Sequence, residues 1–545
     1  MNTPIYDFVK AYRDLRPARL HMPGHKGRGP LGCEEWDITE IPGADSLYEA
    51  AGIIAESEAN ASRLFGCPSF YSTEGSSHCI RAMLLLAAQA CHCARSEESV
   101  SSAAQRARKY GSFDSAPLRS GRQDRKQLRV LAARNCHKAF LSAAALLDLD
   151  VAWLPASTDS YLSAQPTPEL LDAALTECGA AAVYLTCPDY LGFLPKLRPL
   201  AEVCHAHGAL LLVDNAHGAY LRFLNPSQHP MDLGADLCCD SAHKTLPVLT
   251  GGAYLHVAER LVSVAGRRTR PLRTVEAGRE TRPIRVEAVR EALALFGSSS
   301  PSYLILQSLD LANPYLETLP ERLAGFLPKL AALKARLTAA GWKLVGDEPM
   351  KLTLDLRPSA APVGTSIACP LSPAKTPVGT SIACLPFSRF ASGTALAAAL
   401  EQAGIYCEFF DADFLVCMLA PENTEEELRR LETALQDTDT EADGSPRTSN
   451  ACPCSAWEED TAAEPPAACP VHSLRGLPEQ VCSIREALLA PAEQVPAKES
   501  LGRVLARPGV SCPPAVPILM PGERIDEAAI AAFSKYGIDT VFVLA

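Results

Sequence analysis

The 545-residue sequence lacks an excess of basic residues, a long apolar run and an apolar leader. It has 51 lysines and arginines against 63 aspartates and glutamates, a net charge of −12, which argues against a general basic surface for nucleic acid. Because no window reaches about 18 uninterrupted apolar residues, we expect no membrane span. The charged segment 1–16 has no apolar core typical of a secretory signal, so we expect a cytoplasmic protein.

Cysteine is abundant, with 20 residues along the chain. In a protein that is not exported we expect reduced thiols, and the scattered positions disfavour a small disulfide scaffold. Cys452, Cys454, Cys469 and His472 offer four ligands for zinc. Their irregular spacing and their Ala/Pro/Glu-rich surroundings disfavour such a site, and we predict no bound metal.

Three stretches differ in composition from the rest of the chain. Residues 94–127 are rich in Ser, Arg, Gln and Lys and are predicted to form a surface insertion. The stretch 361–385 contains PVGTSIAC twice, at Pro362–Cys369 and Pro377–Cys384, which we interpret as a local duplication within a loop rather than a solenoid. Residues 437–475 are rich in Asp, Glu, Pro and Ala and are predicted to be a linker.

Short apolar runs alternate with helical patterns in the first half of the chain. The runs Ala181–Thr186 and Ala209–Val213 flank a helix predicted over Leu197–His207, and a third strand is predicted over Asp236–Cys239. This alternation is typical of parallel β-α-β units that are buried on both faces. We therefore predict an α/β large domain with a mostly parallel sheet, whose ligands bind at the carboxyl ends of the strands.

The second half of the chain predicts two smaller α+β domains. A helix is predicted over Pro328–Ala340, with Pro328 in its first turn and Gly341 at its end. After the linker, a helix is predicted over Ser483–Ala492 and a strand over Thr540–Val543. The predicted division is an N-terminal arm (1–60), a large domain (61–312), a small domain (313–436), the linker (437–475) and a C-terminal domain (476–545).

Two residues that follow predicted strands suggest covalent cofactor chemistry. Lys244, in the segment Asp240–Leu246 (DSAHKTL), has the position of a Schiff-base lysine, whose amine becomes nucleophilic when burial and nearby positive charge lower its pKa. The alternative is an ordinary surface lysine. Asp214 ends an apolar strand, where a carboxylate needs a partner. That partner is either a pyridine ring N–H of a cofactor or the N-terminus of the next helix.

Two further signals suit a phosphate and an aromatic ring. Gly75–Ser77 precede a helix predicted over His78–Cys91, where backbone N–H groups and hydroxyls bind phosphate, although serine also caps helices without any ligand. His137 follows the strand predicted over Leu128–Ala133 and could stack on a cofactor ring or be a polar loop residue. Together the four signals point to a fold-type I pyridoxal-phosphate enzyme.

The sequence resembles the bacterial ornithine/lysine/arginine decarboxylases, a family of fold-type I pyridoxal-phosphate enzymes. It departs from residues common in that family at Glu74, Ala242, Gly251 and Ala515. The segments that carry the resemblance are His21–Gly27 (HMPGHKG), Glu74–Ser77, Arg134–Lys138, Thr186–Gly192 (TCPDYLG), Asp214–Gly218, Ser241–Pro247 and Pro513–Ile525.

The resemblance implies a role for each candidate residue. Lys244 would be the aldimine lysine, Asp214 would bind the pyridinium nitrogen, and His137 would stack on the ring. His217 would lie close to the aldimine, and His243 beside the phosphate. The phosphate would be held by small residues at two chain turns, namely Gly75, Ser76, Ser77 and Ser241.

The implied reaction is decarboxylation of arginine, lysine or ornithine to an amine for polyamine synthesis. The proton donor would be Lys244, His243 or His217, and the active site would lie at the interface of a homodimer or higher assembly. The residues do not select among the three substrates. An aminotransferase or aldolase on the same fold, or a non-catalytic regulatory homologue, stays open as an alternative. Because the chain starts at the HMPGHKG region, we expect the short form without an N-terminal wing domain.

Overall fold

The computed structural model describes most of the chain outside the stretches of unusual composition. The predicted insertion, duplicated loop and linker lie outside the described residues, apart from Gln127 and Asp437 at their edges, and so do the four candidate zinc ligands. The described residues are 1–92, 127–155, 158, 160–263, 272–274, 279–357, 392–437, 477–509 and 513–545.

Helices and strands are numbered here in chain order within the described residues. The α-helices are α1 (Pro4–Asp14), α2 (Ile53–Phe65), α3 (Gly75–His92), α4 (Lys138–Leu147), α5 (Pro168–Cys178), α6 (Leu197–Ala206), α7 (Ala242–Thr245), α8 (Val286–Phe296), α9 (Tyr303–Ala339), α10 (Gly393–Gln402), α11 (Glu425–Asp437), α12 (Ile484–Leu489) and α13 (Glu527–Lys535). The strands are β1 (Ser69–Ser72), β2 (Arg129–Ala133), β3 (Asp150–Leu154), β4 (Ala182–Thr186), β5 (Leu210–Asp214), β6 (Leu237–Asp240), β7 (Ala253–Val257), β8 (Val262–Ser263), β9 (Leu272–Thr274), β10 (Arg279–Thr281), β11 (Ile284–Arg285), β12 (Leu344–Val345), β13 (Lys351–Asp355), β14 (Phe409–Phe410), β15 (Phe414–Met418), β16 (Ala492–Pro496), β17 (Leu505–Arg507) and β18 (Thr540–Leu544).

The chain divides into two compact units. The first comprises Met1–Gly325 together with Cys469–Ala545, and the second comprises Phe326–Ala468. The five-part division from the sequence is finer than this and stays a prediction.

The first unit is built on a seven-stranded sheet with the strand order β1-β7-β6-β5-β4-β2-β3. Strands β2 to β6 pair in parallel, whereas β7 runs antiparallel to both β6 and β1. One face is covered by α3, α4 and α8 and the other by α5 and α6. The α/β class with a mostly parallel sheet is therefore confirmed.

The strands that carry the candidate residues form close to where the sequence predicts them. Strands β2, β4, β5 and β6 each begin one residue later than predicted, and β5 and β6 each end one residue later. Strands buried on both faces show as continuous apolar runs in a sequence, so they can be recognised without an alternating pattern. The helix predicted over His78–Cys91 is α3, which begins three residues earlier, at Gly75.

The helix predicted over Pro328–Ala340 is wrong at its start. Helix α9 begins at Tyr303, so Pro328 lies well inside it, as do Pro314 and Pro320. Proline lacks the N–H of the helical hydrogen bond and crowds the preceding turn, which is why it usually marks a helix start. Here leucines recur on a buried side of the helix, and their packing outweighs the cost of the prolines. The helix ends at Ala339, one residue before the predicted end, and Gly341, the predicted stop, has φ +97°.

The two smaller parts have antiparallel sheets. The second unit contains the sheet β12-β13-β15-β14 with α10 and α11, and the C-terminal part of the first unit contains the sheet β16-β18-β17 with α12 and α13. Both are α+β, as predicted. The helix predicted over Ser483–Ala492 is wrong at its end, because α12 ends at Leu489 and Ala492 begins β16.

The first helix is capped by a carboxylate from a distant part of the chain. Asp310, in α9, accepts hydrogen bonds from the backbone N–H groups of Ile5 and Tyr6 at 2.9 and 3.0 Å and from the Ser57 hydroxyl at 2.5 Å. Burial raises the pKa of Asp310 to about 6. In an unfolded chain the pKa of aspartate is about 3.9.

We predict that the free energy of unfolding of the first unit falls as the pH rises from about 4 to about 6. Over that window the folded state holds a proton on Asp310 that the unfolded state releases, so the stability gained at low pH, of order 2–3 kcal/mol, is lost as Asp310 ionises. Urea unfolding across this pH range would measure the loss. Asp310→Asn keeps an oxygen for the helix N–H groups and should reduce the loss by about that amount; an unchanged pH profile in that variant would contradict the assignment.

Candidate active site

The carboxyl ends of four parallel strands meet at one edge of the large sheet. Thr186 and Asp214 are paired across β4 and β5, and Asp214 is paired with Cys239 across β5 and β6. Asp240 ends β6, and the loop after β2 leads to His137. The structure thus brings the strand-end candidates to one edge, where α/β proteins bind their ligands.

Lys244 is half-buried and contacts a histidine. It lies in the short helix α7, and its Nζ is 2.8 Å from Nε2 of His217. His217 is itself buried, and the Tyr190 ring lies against it with 5.1 Å between ring centroids. Lys244 is therefore not an ordinary surface lysine, and its amine and the imidazole are close enough to exchange a proton.

Asp214 is a buried carboxylate whose described hydrogen bonds come from neutral donors. The Tyr184 hydroxyl donates to Oδ2 at 3.1 Å, and Ala216 N and Cys239 Sγ donate to Oδ1 at 3.2 and 3.7 Å. Burial raises the pKa of Asp214, while the nearby ammonium group of Lys244 lowers it. Asp214 does not cap a following α-helix, and a pyridinium N–H would relieve the cost of burying its charge.

The N-terminus of α3 faces open space at Gly75. This residue has φ +74°, and a Cβ placed on it would meet no atom within 4 Å. The first N–H groups of a helix lack intrahelical partners, so this turn can bind an anion. The Ser241 hydroxyl donates to the buried Ser76 Oγ at 2.8 Å, which links the start of α3 to the turn before Lys244, while Ser77 is half-buried beside Ser76.

His137 caps helix α4 with one ring nitrogen. Its Nδ1 accepts a hydrogen bond from Ala139 N at 3.1 Å, so the ring proton of the neutral form is on Nε2. Burial and the positive charges of Lys244, Lys138 and Arg81 lower the pKa of His137 to about 4. The ring is therefore neutral at physiological pH, and it lies at the start of α4, which covers the same sheet face as α3.

His243 precedes Lys244 in α7 and is half-buried. Burial and the charge of Lys244 lower the pKa of His243, so this imidazole is also neutral at physiological pH. Its backbone N–H donates to Gly252 O at 3.2 Å, which fixes the turn against the start of β7.

Tyr184 is a site residue that sequence reasoning missed. It is fully buried in β4, and its hydroxyl is the side-chain oxygen donor to Asp214. In the sequence it is one more apolar residue of a continuous run. One signal was available in the sequence. Tyr184 lies two residues before the end of its strand, and residues two apart in a strand point to the same sheet face, so its hydroxyl could be expected near the side chains at the strand ends.

The C-terminal segment holds the loop that carries His137. Glu523 accepts two hydrogen bonds from the Arg134 guanidinium, at 2.6 and 2.9 Å, and both side chains are buried. Lys138 N donates to Ala515 O at 2.8 Å. The C-terminal stretch that carries the resemblance therefore fixes the chain on both sides of His137.

Two family models match this chain. Residues 125–333 match the Orn/Lys/Arg decarboxylase major domain, and residues 475–536 match the Orn/Lys/Arg decarboxylase C-terminal domain. Together with the sheet described above, these matches show that the chain has the α/β fold of the fold-type I pyridoxal-phosphate enzymes. It belongs to the Orn/Lys/Arg decarboxylase family.

Relatives align over almost the whole chain. The uncharacterized protein YaaO of Bacillus subtilis is 26% identical over 98% of this chain and 94% of its own length. Arginine decarboxylase of Halalkalibacterium halodurans is 26% identical over 97% of this chain and 92% of its own length.

Solved structures with lower identity share the fold. The constitutive lysine decarboxylase of E. coli aligns with 100% of this chain and 82% of its own, at 16% identity and a TM-score of 0.64. Lysine decarboxylase A of Pseudomonas aeruginosa aligns with 97% of this chain and 75% of its own, at 17% identity and a TM-score of 0.66. Among the described residues of the present chain, we find no helix with the length and hydrophobicity of a membrane span.

We predict that Glu523→Gln destabilises the first unit by about 3 kcal/mol or more, because Arg134 would remain buried without its charged partner. Urea unfolding would measure the loss. The neighbouring exposed pair of Glu479 and Arg524 provides the control, and Glu479→Gln should change stability little. Replacing Arg134 with Met in the Glu523→Gln background should recover part of the loss. Equal effects of the two single variants would contradict a structural role for the buried pair.

Proposed function

We propose that this chain binds pyridoxal 5'-phosphate and decarboxylates a basic amino acid. The observation that carries the proposal is the pairing of Lys244 with His217 at the same sheet edge as the buried Asp214. Membership of a pyridoxal-phosphate-dependent decarboxylase family supports it. We also propose, as the resemblance implies, a cytoplasmic homodimer or higher assembly.

The described residues fit the chemical groups of the cofactor. Lys244 would hold its aldehyde carbon and Asp214 its ring nitrogen. His137 would lie against the ring as a neutral imidazole and so would add no positive charge beside the pyridinium. The phosphate would be held at the open turn by Gly75, Ser76, Ser77 and Ser241. When bound, pyridoxal phosphate supplies an electron sink for the electron pair of the bond to the departing carboxylate.

The protein's own residues would orient charge and move protons. Tyr184 and the Ala216 N–H donate hydrogen bonds to the carboxylate of Asp214 and hold it in one orientation, so that it would face the ring nitrogen of the cofactor. His217 can take a proton from the Lys244 amine or return it over 2.8 Å. We propose Lys244, His217 or His243 as the donor that returns a proton to the substrate Cα.

The substrate is proposed at the level of its class. Arginine, lysine and ornithine share an α-amino acid head and a cationic tail, and they differ in the length and hydrogen-bonding groups of that tail. Arginine is the first substrate to test, because the aligned relative from Halalkalibacterium halodurans is named arginine decarboxylase.

We predict that Lys244→Ala abolishes both the visible absorbance of bound pyridoxal phosphate and the release of CO₂. The test supplies each of the three amino acids with a labelled carboxyl group and measures labelled CO₂ and the amine product. Lys196→Ala, at an exposed lysine of the same unit, is the matched control and should behave as wild type.

The outcomes separate the competing reactions. Release of CO₂ with a stoichiometric amine supports decarboxylation. Keto-acid or aldehyde products without CO₂ would instead indicate an aminotransferase or aldolase. A Lys244→Ala variant that stayed yellow and active would refute the assignment of Lys244.

A further inference from the structure

A second aspartate, Asp240, is the centre of a fully buried hydrogen-bond network. Asn215 Nδ2 donates to its Oδ1 at 2.6 Å, while Nε2 of His229 and Nε2 of His256 lie 3.0 and 3.1 Å from its Oδ2. All four side chains are buried without exposed surface. The proposed chemistry uses none of them, although burying a charged group this deeply is costly unless it is fully paired.

The network lies on the sheet face opposite to the candidate cofactor site. Side chains alternate along a strand, so Cys239 and Asp240 point to opposite faces of β6. Cys239 donates to Asp214 on the face covered by α3 and α4. Asp240 shares the other face with Cys238, which packs in the cluster of α5 and α6.

The hydrogen bonds place a proton of His229 on the nitrogen that faces Asp240. His229 accepts from Met231 N through Nδ1, so its proton is on Nε2 and points at Asp240. Nδ1 of His256 lies 2.8 Å from Ser69 Oγ, which can also donate to Cys67 O at 2.9 Å, and Nε2 of His256 lies 3.1 Å from Asp240. Both ring nitrogens of His256 therefore have an acceptor within hydrogen-bond distance, and a protonated His256 would pair with the carboxylate of Asp240.

The network offers Asp240 several stabilising partners. His256 faces its carboxylate as an ion-pair partner, and His229 and Asn215 donate further hydrogen bonds to it. Burial opposes ionisation of both groups, but the charge of Asp240 raises the pKa of His256 and the histidines lower the pKa of Asp240. His229, Cys238 and Asp240 also have the composition of a metal site, with ligand atoms within 4.8 Å of one another. Nε2 of His229, however, is occupied by a proton, so the arrangement favours hydrogen bonding.

Asn215 makes its bond to Asp240 at a cost. Its Oδ1 is buried and has no hydrogen-bond partner among the described residues, so the bond to Asp240 is the one side-chain hydrogen bond that this amide makes there. Buried unpaired polar atoms are uncommon in folded proteins, and Oδ1 of Asn313 is another such atom, so the position of Asn215, and not its unpaired atom, carries the inference. Asn215 directly follows Asp214, and Asp240 directly precedes Ser241, so this one bond joins the neighbours of two candidate cofactor-binding residues.

We propose that Asp240 is a positioning residue that, through Asn215, holds Asp214 in register with the Ser241–Lys244 turn from behind the sheet. The inference rests on the proposed function, because the aligned groups are those that would bind the cofactor. Parallel pairing already joins β5 and β6 along their length. At the end of these strands Asn215 N donates to Cys239 O at 2.9 Å, and the side-chain bond between Asn215 and Asp240 adds a second link beside the functional groups.

The test compares two equally buried asparagines in the holoenzyme. Asn215→Ala removes the bond to Asp240, whereas Asn313→Ala removes hydrogen bonds to Ser57 and Tyr71 beside the N-terminal arm. The readouts are the dissociation constant of pyridoxal phosphate, the visible circular dichroism per bound cofactor, and kcat and KM with the best of the three amino acids. Thermal unfolding of both variants controls for general destabilisation.

We expect Asn215→Ala to lower kcat by about ten- to a hundredfold, because small misplacements of reacting groups are costly. KM should change much less, and the dichroism of the bound cofactor should shift. Asn313→Ala should leave kcat, KM and the dichroism of the bound cofactor at wild-type values, even if this variant unfolds at a similarly reduced temperature. If Asn215→Ala does not fold, Asn215→Ser replaces it, with the same expectation.

Equal behaviour of the two variants in kcat and dichroism would overturn the positioning role while leaving the proposed function intact. Wild-type protein that takes up no pyridoxal phosphate would overturn the proposed function and the positioning role with it.

Discussion

The parallel pairing of β4, β5 and β6 is the constraint on which the rest of the candidate site depends. It aligns Thr186 with Asp214 and Asp214 with Cys239, so that three chain segments distant in sequence end at one edge. Both faces of these strands are covered by apolar helices, and the polar residues at their ends therefore emerge in surroundings of low polarity. Charges at such positions interact strongly with one another because little water screens them.

Two buried carboxylates at neighbouring strand ends are treated differently by their surroundings. Asp240 is paired with His256 and His229, which lower its pKa, so its charge is stabilised by partners within the protein. Asp214 has neutral hydrogen-bond donors, and burial raises its pKa, so it is suited to a cationic partner supplied from outside. Asp240 therefore has the properties of a structural residue, and Asp214 has those of a residue that binds a ligand.

Much of the fold was predictable because its signals are local. The apolar runs that became β4 and β5 were recognisable from composition alone, and so was the turn before α3. Helix α9 was misjudged because the rule for proline is local, whereas the packing that tolerates Pro314, Pro320 and Pro328 is not. Asp214 and Lys244 were found as candidates from their positions after strands, and their roles stay proposals.

The network around Asp240 could not be predicted, for a physical reason. His256 reaches Asp240 through the antiparallel register of β6 and β7, and His229 reaches it from a short helical turn. Neither residue follows a strand or forms a motif with Asp240 in the sequence. Tyr184 was missed for the same reason, since only the pairing of β4 with β5 places its hydroxyl at Asp214.

The central claim is that this sheet edge binds pyridoxal phosphate through Lys244. The most direct measurement is to load the protein with the cofactor, reduce the carbon–nitrogen double bond with borohydride, and map the modified peptide by mass spectrometry. The account predicts one phosphopyridoxyl group per chain, on Lys244. Modification of a different lysine, or none above that of a denatured control, would contradict it.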